Sequence, residues 1–285
     1  FVTRQVFARD YAEEKATLAY LQDLLRERRF LVSFNGKAFD VNLLAARFIM
    51  NRLRDPLTGL PHVDLLYAAR RFFSHRLGDR RLSALEEAVL GFQREGDVPG
   101  YEIPQRYFDW LRRRDGRLMA DVFEHNRLDI LSLAALATHL VEIMDPDREH
   151  SSHHPGDRLA AGRLFLHQGL NREAVRILEP MTGAHATPAG REACRELSLL
   201  YKRANQWPEA VALWEEMARE APPDVFALVE LAKWCEHRAH DLPRAEALTL
   251  LALAHADAAG NTGREELLHR LHRLRERLGR PQVNV

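Results

Sequence analysis

The stretch Leu31-Val-Ser-Phe-Asn-Gly-Lys-Ala-Phe-Asp40 decides the fold of the first half of the chain. Its apolar start predicts a buried strand, and Asn35-Gly36 is a common turn pair that permits positive φ. The residues after Asp40 repeat apolar side chains at helical spacing, so the turn delivers a carboxylate to the start of an amphipathic helix. Carboxylates brought together from separate elements hold Mg²⁺ or Mn²⁺, because these hard cations prefer oxygen ligands.

A second motif, His125-Asn-Arg-Leu-Asp129, lies in a long helix predicted over residues 118–143. Residues four apart share one helical face, so the imidazole of His125 and the carboxylate of Asp129 are expected to be neighbours. An imidazole is suited to proton transfer near neutral pH, and a carboxylate is suited to metal binding.

At these two motifs the chain resembles the DEDD superfamily of 3′-to-5′ exonucleases, which has the ribonuclease H-like fold, and within it the YprB-type domain. Asn35-x-x-x-Phe39-Asp40 looks like the second exonuclease motif, and His125-Asn126-x-x-Asp129 looks like the third. The segments between them follow the order of the YprB-type domain, namely His62-Val-Asp64, Leu82-Ser-Ala-Leu-Glu86, Leu90-Gly91, Asp97-Val-Pro-Gly100 and Ile103-Pro104. The likeness covers roughly residues 1–145.

The resemblance implies a metal-dependent nuclease that hydrolyses DNA or RNA by a two-metal mechanism. Asp40 and Asp129 would bind Mg²⁺ or Mn²⁺, and both would act with His125 in catalysis. Asn35, Gly36 and Asn126 would contact the nucleic acid, which is expected to be a single strand or a 3′ end. The alternative is a non-catalytic nucleic-acid-binding or scaffold protein that uses its second half for protein interaction.

One family feature is missing from the sequence. No apolar strand carries the Asp-x-Glu of the first exonuclease motif, and Asp10-Tyr-Ala-Glu13 has a different spacing and is rejected as that motif. Phe1 to Phe7 has the pattern of the last strand of a hairpin, so we expect the native N-terminus to lie upstream and the ribonuclease H-like domain to be incomplete. With the acids of the first motif absent, this chain is predicted to be inactive.

Each proposed site residue also has an ordinary structural interpretation, and both stay open at this point. Asp40 is a good helix N-cap, and His125 with Asp129 is a common surface pair worth a few tenths of a kcal/mol. Asp64 is a candidate cap or salt-bridge partner. Phe39 is expected in the core rather than stacked on a base.

Composition limits the remaining classes of function. The 285 residues contain 41 basic and 41 acidic side chains, so no net positive charge attracts nucleic acid. The two cysteines, Cys194 and Cys235, lack metal-ligand spacing and indicate buried thiols in a reducing cytoplasm. Since no apolar run approaches the roughly 20 residues of a membrane span, no membrane partner is expected.

Periodicity divides the chain into a mixed half and a helical half. The first, residues 1–147, is predicted to alternate helices and strands, with helices at 12–29 and 41–54 and strands at 30–34 and 62–66. A histidine-rich linker follows at 148–157. Residues 158–285 resemble tetratricopeptide repeats, because Asn171-Arg-Glu-Ala, Trp207-Pro-Glu-Ala and Leu242-Pro-Arg-Ala recur 36 and 35 residues apart, and a final helix is expected at about 263–278.

Overall fold

The computed structural model describes residues 2–148, 153–184, 186–256 and 263–281. The chain divides into two compact units, Phe1–Glu142 and Ile143–Val285. The helices and strands up to the boundary are α1 Glu14–Leu25, β1 Leu31–Ser33, α2 Asp40–Met50, β2 His62–Asp64, α3 Leu65–Phe73, α4 Leu82–Leu85, α5 Ile103–Arg113 and α6 Arg117–Met144. Short 3₁₀ turns precede α1 and α5, and a π-helical turn, Glu86–Leu90, follows α4.

The two strands form a parallel pair whose register aligns Leu31 with His62 and Ser33 with Asp64. Parallel strands point the same way, so both end at one edge of the sheet. The turn after β1 and the start of α3, which directly follows β2, therefore lie side by side. The predicted strands at 30–34 and 62–66 are thus confirmed in position, although each is shorter than expected.

Helices α1 and α2 cover part of this sheet. Leu18, Phe48 and Leu57 are buried together, and Leu31 and Leu44 pack against them. Leu43 and Ile49 belong to the apolar pattern of α2 and would be expected to face inward, but they are 54% and 70% exposed. Phe39, expected in the core, is 65% exposed. One face of α2 packs in this core, and helical periodicity does not tell how wide that face is.

The predicted strand at Phe1 to Phe7 is not formed over residues 2–7, which belong to no helix or strand, and Phe1 lies outside the described residues. The segment instead lies against α5 and α6. Phe7 makes ring contacts with Tyr107, Trp110 and Phe123 at centroid distances of 5.2 to 6.0 Å. The side chain of Gln5 donates to the carbonyl of Phe123 at 2.7 Å. Residues 2–7 are therefore held against helices by aromatic packing and by the bond from Gln5.

The second unit contains helices in each of its described parts, and their bounds are α7 Pro155–His167, α8 Asn171–Leu178, α9 Pro188–Arg203, α10 Trp207–Ala218, α11 Val225–Trp234, α12 Leu242–Ala256 and α13 Arg264–Arg277. The three recurring tetrapeptides each open a helix, namely α8, α10 and α12. Their last residues, Ala174, Ala210 and Ala245, are fully buried. Small side chains at these positions allow neighbouring helices to approach closely. The final helix lies where it was expected.

The predicted linker at 148–157 falls only partly within the described residues, because residues 149–152 lie outside them. Helix α7 begins at Pro155, and His154 caps it by accepting from the backbone N–H of Gly156 at 3.1 Å. Cys194 and Cys235 are buried free thiols. Across the described ranges, every helix falls short of the combined length and apolarity needed to cross a bilayer.

Candidate active site

The edge where β1 and β2 end is organised by the buried carboxylate of Asp64. One oxygen accepts from the backbone N–H of Asn35 at 2.7 Å and from that of Leu66 at 3.1 Å, and the other accepts from that of Lys37 at 3.0 Å. Asp64 therefore caps α3 and also fixes the turn after β1. Its expected structural role as a cap is confirmed.

The turn itself needs both of its predicted residues. Asn35 adopts φ 62°, a left-handed conformation that asparagine tolerates. Gly36 is buried, and a Cβ atom built on it would lie 2.7 Å from both Cβ and Oγ of Ser33. The glycine is therefore required by close approach, whereas the positive φ belongs to the asparagine.

Asp40 is the first residue of α2 and is exposed. The N-cap position is Phe39, which makes no side-chain capping bond, so the capping interpretation of Asp40 is wrong. The carboxylate lies near the turn, since its Oδ2 is 3.4 Å from the Cβ position built on Gly36. Within residues 2–148, no hydrogen bond or ion pair engages this carboxylate, which leaves its oxygens open to solvent.

The second predicted motif lies on α6 and is part of a charged cluster. The Nε2 atom of His125 is 3.5 Å from Oδ2 of Asp129, as the spacing predicted. The Nδ1 atom of the same ring is 2.8 Å from Oδ1 of Asp97. Oδ1 of Asp129 accepts a 2.6 Å bond from Arg94. These contacts go well beyond an isolated surface pair on a helix.

Arg94 is the centre of this cluster, and its side chain is only 8% exposed. Its guanidinium donates twice to Glu86, at 2.7 and 2.5 Å, and once to Asp97 at 3.0 Å. Burial alone would lower the pKa of Arg94, but the bonds to Glu86, Asp129 and Asp97 outweigh it and raise that pKa. The cation is therefore fixed in place, and the pair of hydrogen bonds to the carboxylate of Glu86 sets the orientation of the guanidinium.

Sequence reasoning missed Arg94, which comes after Gly91 in a polar stretch and has the pattern of a solvated loop. A signal for it is Glu86, one of two adjacent glutamates in the π-helical turn, whose side chain is 1% exposed. A buried carboxylate requires a cation or several donors, so a nearby arginine could have been sought.

Asn126, the remaining residue of the second motif, is exposed on α6, and its Oδ1 accepts from Gln5 at 3.3 Å. The structure brings His125 and Asp129 together, but among residues 2–148 no bond joins Asp40 to either of them. The predicted convergence of Asp40 with Asp129 thus stays a prediction.

Comparison with known proteins adds the family. Residues 1–141 match the RNase_H superfamily. This half of the chain is an RNase H superfamily domain. The chain is similar to an uncharacterized protein of Bacillus subtilis strain 168, YprB, with 32% identity over 253 residues. That alignment includes 87% of this chain and 60% of YprB, so the chain spans about three fifths of its relative's length. No solved structure matches the chain significantly.

Superfamily membership suggests a nucleic-acid hydrolase, and the fold usually binds divalent metals. The carboxylates of the RNase H domain fit that chemistry in kind, because Asp129 has one oxygen outside its bond to Arg94 and Asp40 has two.

Proposed function

We propose that the protein is a metal-dependent nuclease, specifically a 3′-to-5′ exonuclease that hydrolyses phosphodiester bonds of DNA or RNA. The observation that carries the proposal is the 3.5 Å approach of His125 Nε2 to Asp129 Oδ2 within an RNase H superfamily domain. The two side chains are partly exposed, at 18% and 37%, so a substrate can reach them. An imidazole beside an accessible carboxylate supplies a base next to a cation ligand.

Asp129 and Asp40 would hold Mg²⁺ or Mn²⁺. When bound, a divalent cation supplies charge compensation for the scissile phosphate. His125 would accept the proton of the attacking water on Nε2, and Arg94 would keep Asp129 oriented through its fixed guanidinium. Asn35 and Gly36 would shape the groove beside the substrate, and Asn126 would contact the nucleic acid from α6. The substrate would be a single strand or a 3′ end.

The other metal-binding carboxylates would come from an Asp-x-Glu motif outside residues 1–285. We therefore expect this chain alone to be inactive. The protein would act in the cytoplasm, as two unpaired thiols suggest. The second unit would be a tetratricopeptide-like array, supported by the buried alanines near the start of α8, α10 and α12.

The test is an assay on the full-length protein encoded by the gene. Single-stranded DNA and RNA, labelled at either end, would be incubated with Mn²⁺, and we expect stepwise release of nucleotides from the 3′ end. Asp129→Ala should lower the rate by about 10²-fold or more, and it should fold because Arg94 keeps Glu86 and Asp97 as partners. Asp121→Ala, two turns earlier on α6, is the matched control. Equal activity of wild type and Asp129→Ala would refute the proposal.

A separate measurement tests whether the carboxylates of Asp40 and Asp129 bind the same metal site. Mn²⁺ affinity of the full-length protein would be compared for Asp40→Asn, Asp129→Asn and the double variant. If both side chains hold the same metal site, the double variant should lose clearly less than the sum of the single losses. Additive losses would place the two carboxylates at separate sites.

The competing function is a non-catalytic scaffold that binds protein partners through the helical second unit. The three helix pairs of that unit favour it, because stacked pairs commonly form extended binding surfaces. It would gain support if the full-length protein bound single strands but released no nucleotide with either metal.

A further inference from the structure

The imidazole of His125 has a carboxylate near each of its nitrogen atoms, but only Nδ1 is hydrogen-bonded to its carboxylate. Nδ1 is 2.8 and 3.0 Å from the two carboxylate oxygens of Asp97, and Nε2 is 3.5 Å from Asp129. The His125 side chain is 18% exposed and that of Asp97 is 23% exposed. The ring is thus shielded on the Nδ1 side and more open towards Asp129.

The direction of the bond to Asp97 is set by donor chemistry. An ionised carboxylate only accepts hydrogen bonds, so Nδ1 must carry the proton. Arg94 Nη1 lies 3.4 Å from the same nitrogen, but a protonated Nδ1 cannot accept, and this guanidinium nitrogen donates to Asp97 at 3.0 Å instead. Burial tends to raise the pKa of Asp97, yet the bonds from His125 and Arg94 hold that pKa below its usual value. Asp97 is therefore ionised at neutral pH.

Asp97 is itself fixed by the chain around it. Its Oδ1 accepts from the backbone N–H of Val98 at 2.9 Å, and its Oδ2 accepts from Arg94. Arg94 in turn is anchored by two bonds to the buried Glu86. A continuous series of bonds thus runs from the π-helical turn after α4 to the ring of His125 on α6. Such supporting bonds commonly fix the tautomer of a functional histidine.

We infer that Asp97 is a positioning residue, which holds His125 with its proton on Nδ1 and leaves Nε2 free to accept one. The tautomer is a property of the fold, whereas its use in catalysis rests on the proposed nuclease function. In that reaction the water oxygen bonds to phosphorus, its proton moves to Nε2, and the bond from phosphorus to the 3′ oxygen breaks. The leaving oxygen takes a proton from solvent.

The tautomer is tested by ¹⁵N NMR of the imidazole on the 285-residue chain at alkaline pH, where an ordinary imidazole is neutral. The signal of His125 among the 14 histidines is assigned by its loss in His125→Gln. We expect Nδ1–H in the wild type. In Asp97→Ala the remaining neighbour of Nδ1 is the donor Arg94, so the proton should move to Nε2. Asp121→Ala should keep the wild-type tautomer. Nε2–H in the wild type, or an unchanged tautomer in Asp97→Ala, would overturn the inference.

The catalytic consequence is measured on the full-length protein. Asp97→Ala should lower kcat by about 10²- to 10⁴-fold while KM changes little, because the base and not the substrate contact is lost. Asp97→Glu should restore part of kcat, since it returns an acceptor. Circular dichroism checks folding, and Asp97→Leu, which removes the acceptor but keeps most of the side-chain volume, replaces Asp97→Ala if that variant unfolds. An active wild type with undiminished kcat in Asp97→Ala refutes the positioning role alone. An inactive wild type refutes the nuclease, and the NMR result still decides the tautomer.

Discussion

The buried carboxylate of Asp64 accepts a 2.7 Å hydrogen bond from the backbone N–H of Asn35. Asp64 is the last residue of β2, and Asn35 begins the turn after β1. The bond therefore ties together the ends of the two parallel strands, and the bond to Lys37 adds to it. The side chain of Asp64 therefore sets the geometry of this edge of the sheet. Helix α2, with Asp40 as its first residue, begins beside that edge.

Replacing this carboxylate should destabilise the first unit. Asp64→Ala leaves three backbone N–H groups without their acceptor, and we expect a loss of about 1–3 kcal/mol in the free energy of unfolding. Urea titration measures it. Asp115→Ala is the control, because Asp115 accepts from one backbone N–H, that of Arg117, in a more exposed turn, and its loss should cost less than that of Asp64. Equal losses in the two variants would mean that Asp64 is not the main support of the turn.

Gly36→Ala should be costly for a steric reason. Its Cβ would meet Ser33 at 2.7 Å, and the neighbouring strand must shift to make room. We expect a loss of about 1–3 kcal/mol. Gly78→Ala has no atom within 4 Å of the added Cβ and serves as the matched control. Thermal unfolding compares the two variants, and a Gly36→Ala protein as stable as Gly78→Ala contradicts the prediction.

Replacing Arg94 by an uncharged residue should lower the free energy of unfolding more than Asp64→Ala or Gly36→Ala does. Arg94→Met leaves the buried Glu86 without its partner, and breaking a buried pair in this way costs about 3–5 kcal/mol. Replacing both residues by apolar ones, in Glu86→Leu with Arg94→Met, should recover part of the loss. Arg127→Met removes an exposed pair with Glu124 and should cost much less than Arg94→Met. Denaturant unfolding that ranks Arg127→Met as the more harmful change would disprove this account.

The prediction of β1, α2 and α6 from sequence succeeded because their apolar periodicity is strong and Asn35-Gly36 marks a clear turn. The pairing of His125 with Asp129 was predictable for the same reason, since i and i+4 spacing on a helix fixes a distance. Residues 2–7 were not predictable, because an extended apolar segment has the same pattern whether it pairs with a strand or packs on helices. Phe7 packs on the aromatic side chains of α5 and α6.

The contacts around Arg94 and Asp97 could not be predicted from sequence patterns, for a different reason. They join residues 86, 94, 97 and 129, which lie in a turn, a loop and a helix with no common period. Polar loop residues have no repeating signal, so their partners become visible only in three dimensions. The buried carboxylate of Glu86 is the feature that shows where a partner such as Arg94 must lie.

The buried thiol of Cys194 predicts a pH dependence in the second unit. Burial, helped by nearby glutamates, raises the pKa of this thiol from 9.0 to about 11. The unfolded thiol ionises first as the pH rises, so stability that is fully present below 9.0 is lost towards 11. The stability advantage of wild type over Cys194→Ala should thus shrink by about 2 kcal/mol over this range. Urea titrations at several alkaline pH values test it, and a constant difference contradicts it.

Two π-helical turns, Glu86–Leu90 and Cys235–Ala239, place a glutamate in the interior, where arginines bind it. Each such turn contains one residue more than an α-helical turn. Deleting a single residue there would rotate the next part of the chain by about 100° and move the glutamate away from its arginines. A change in chain length at either place would therefore separate charges that the interior cannot accept alone.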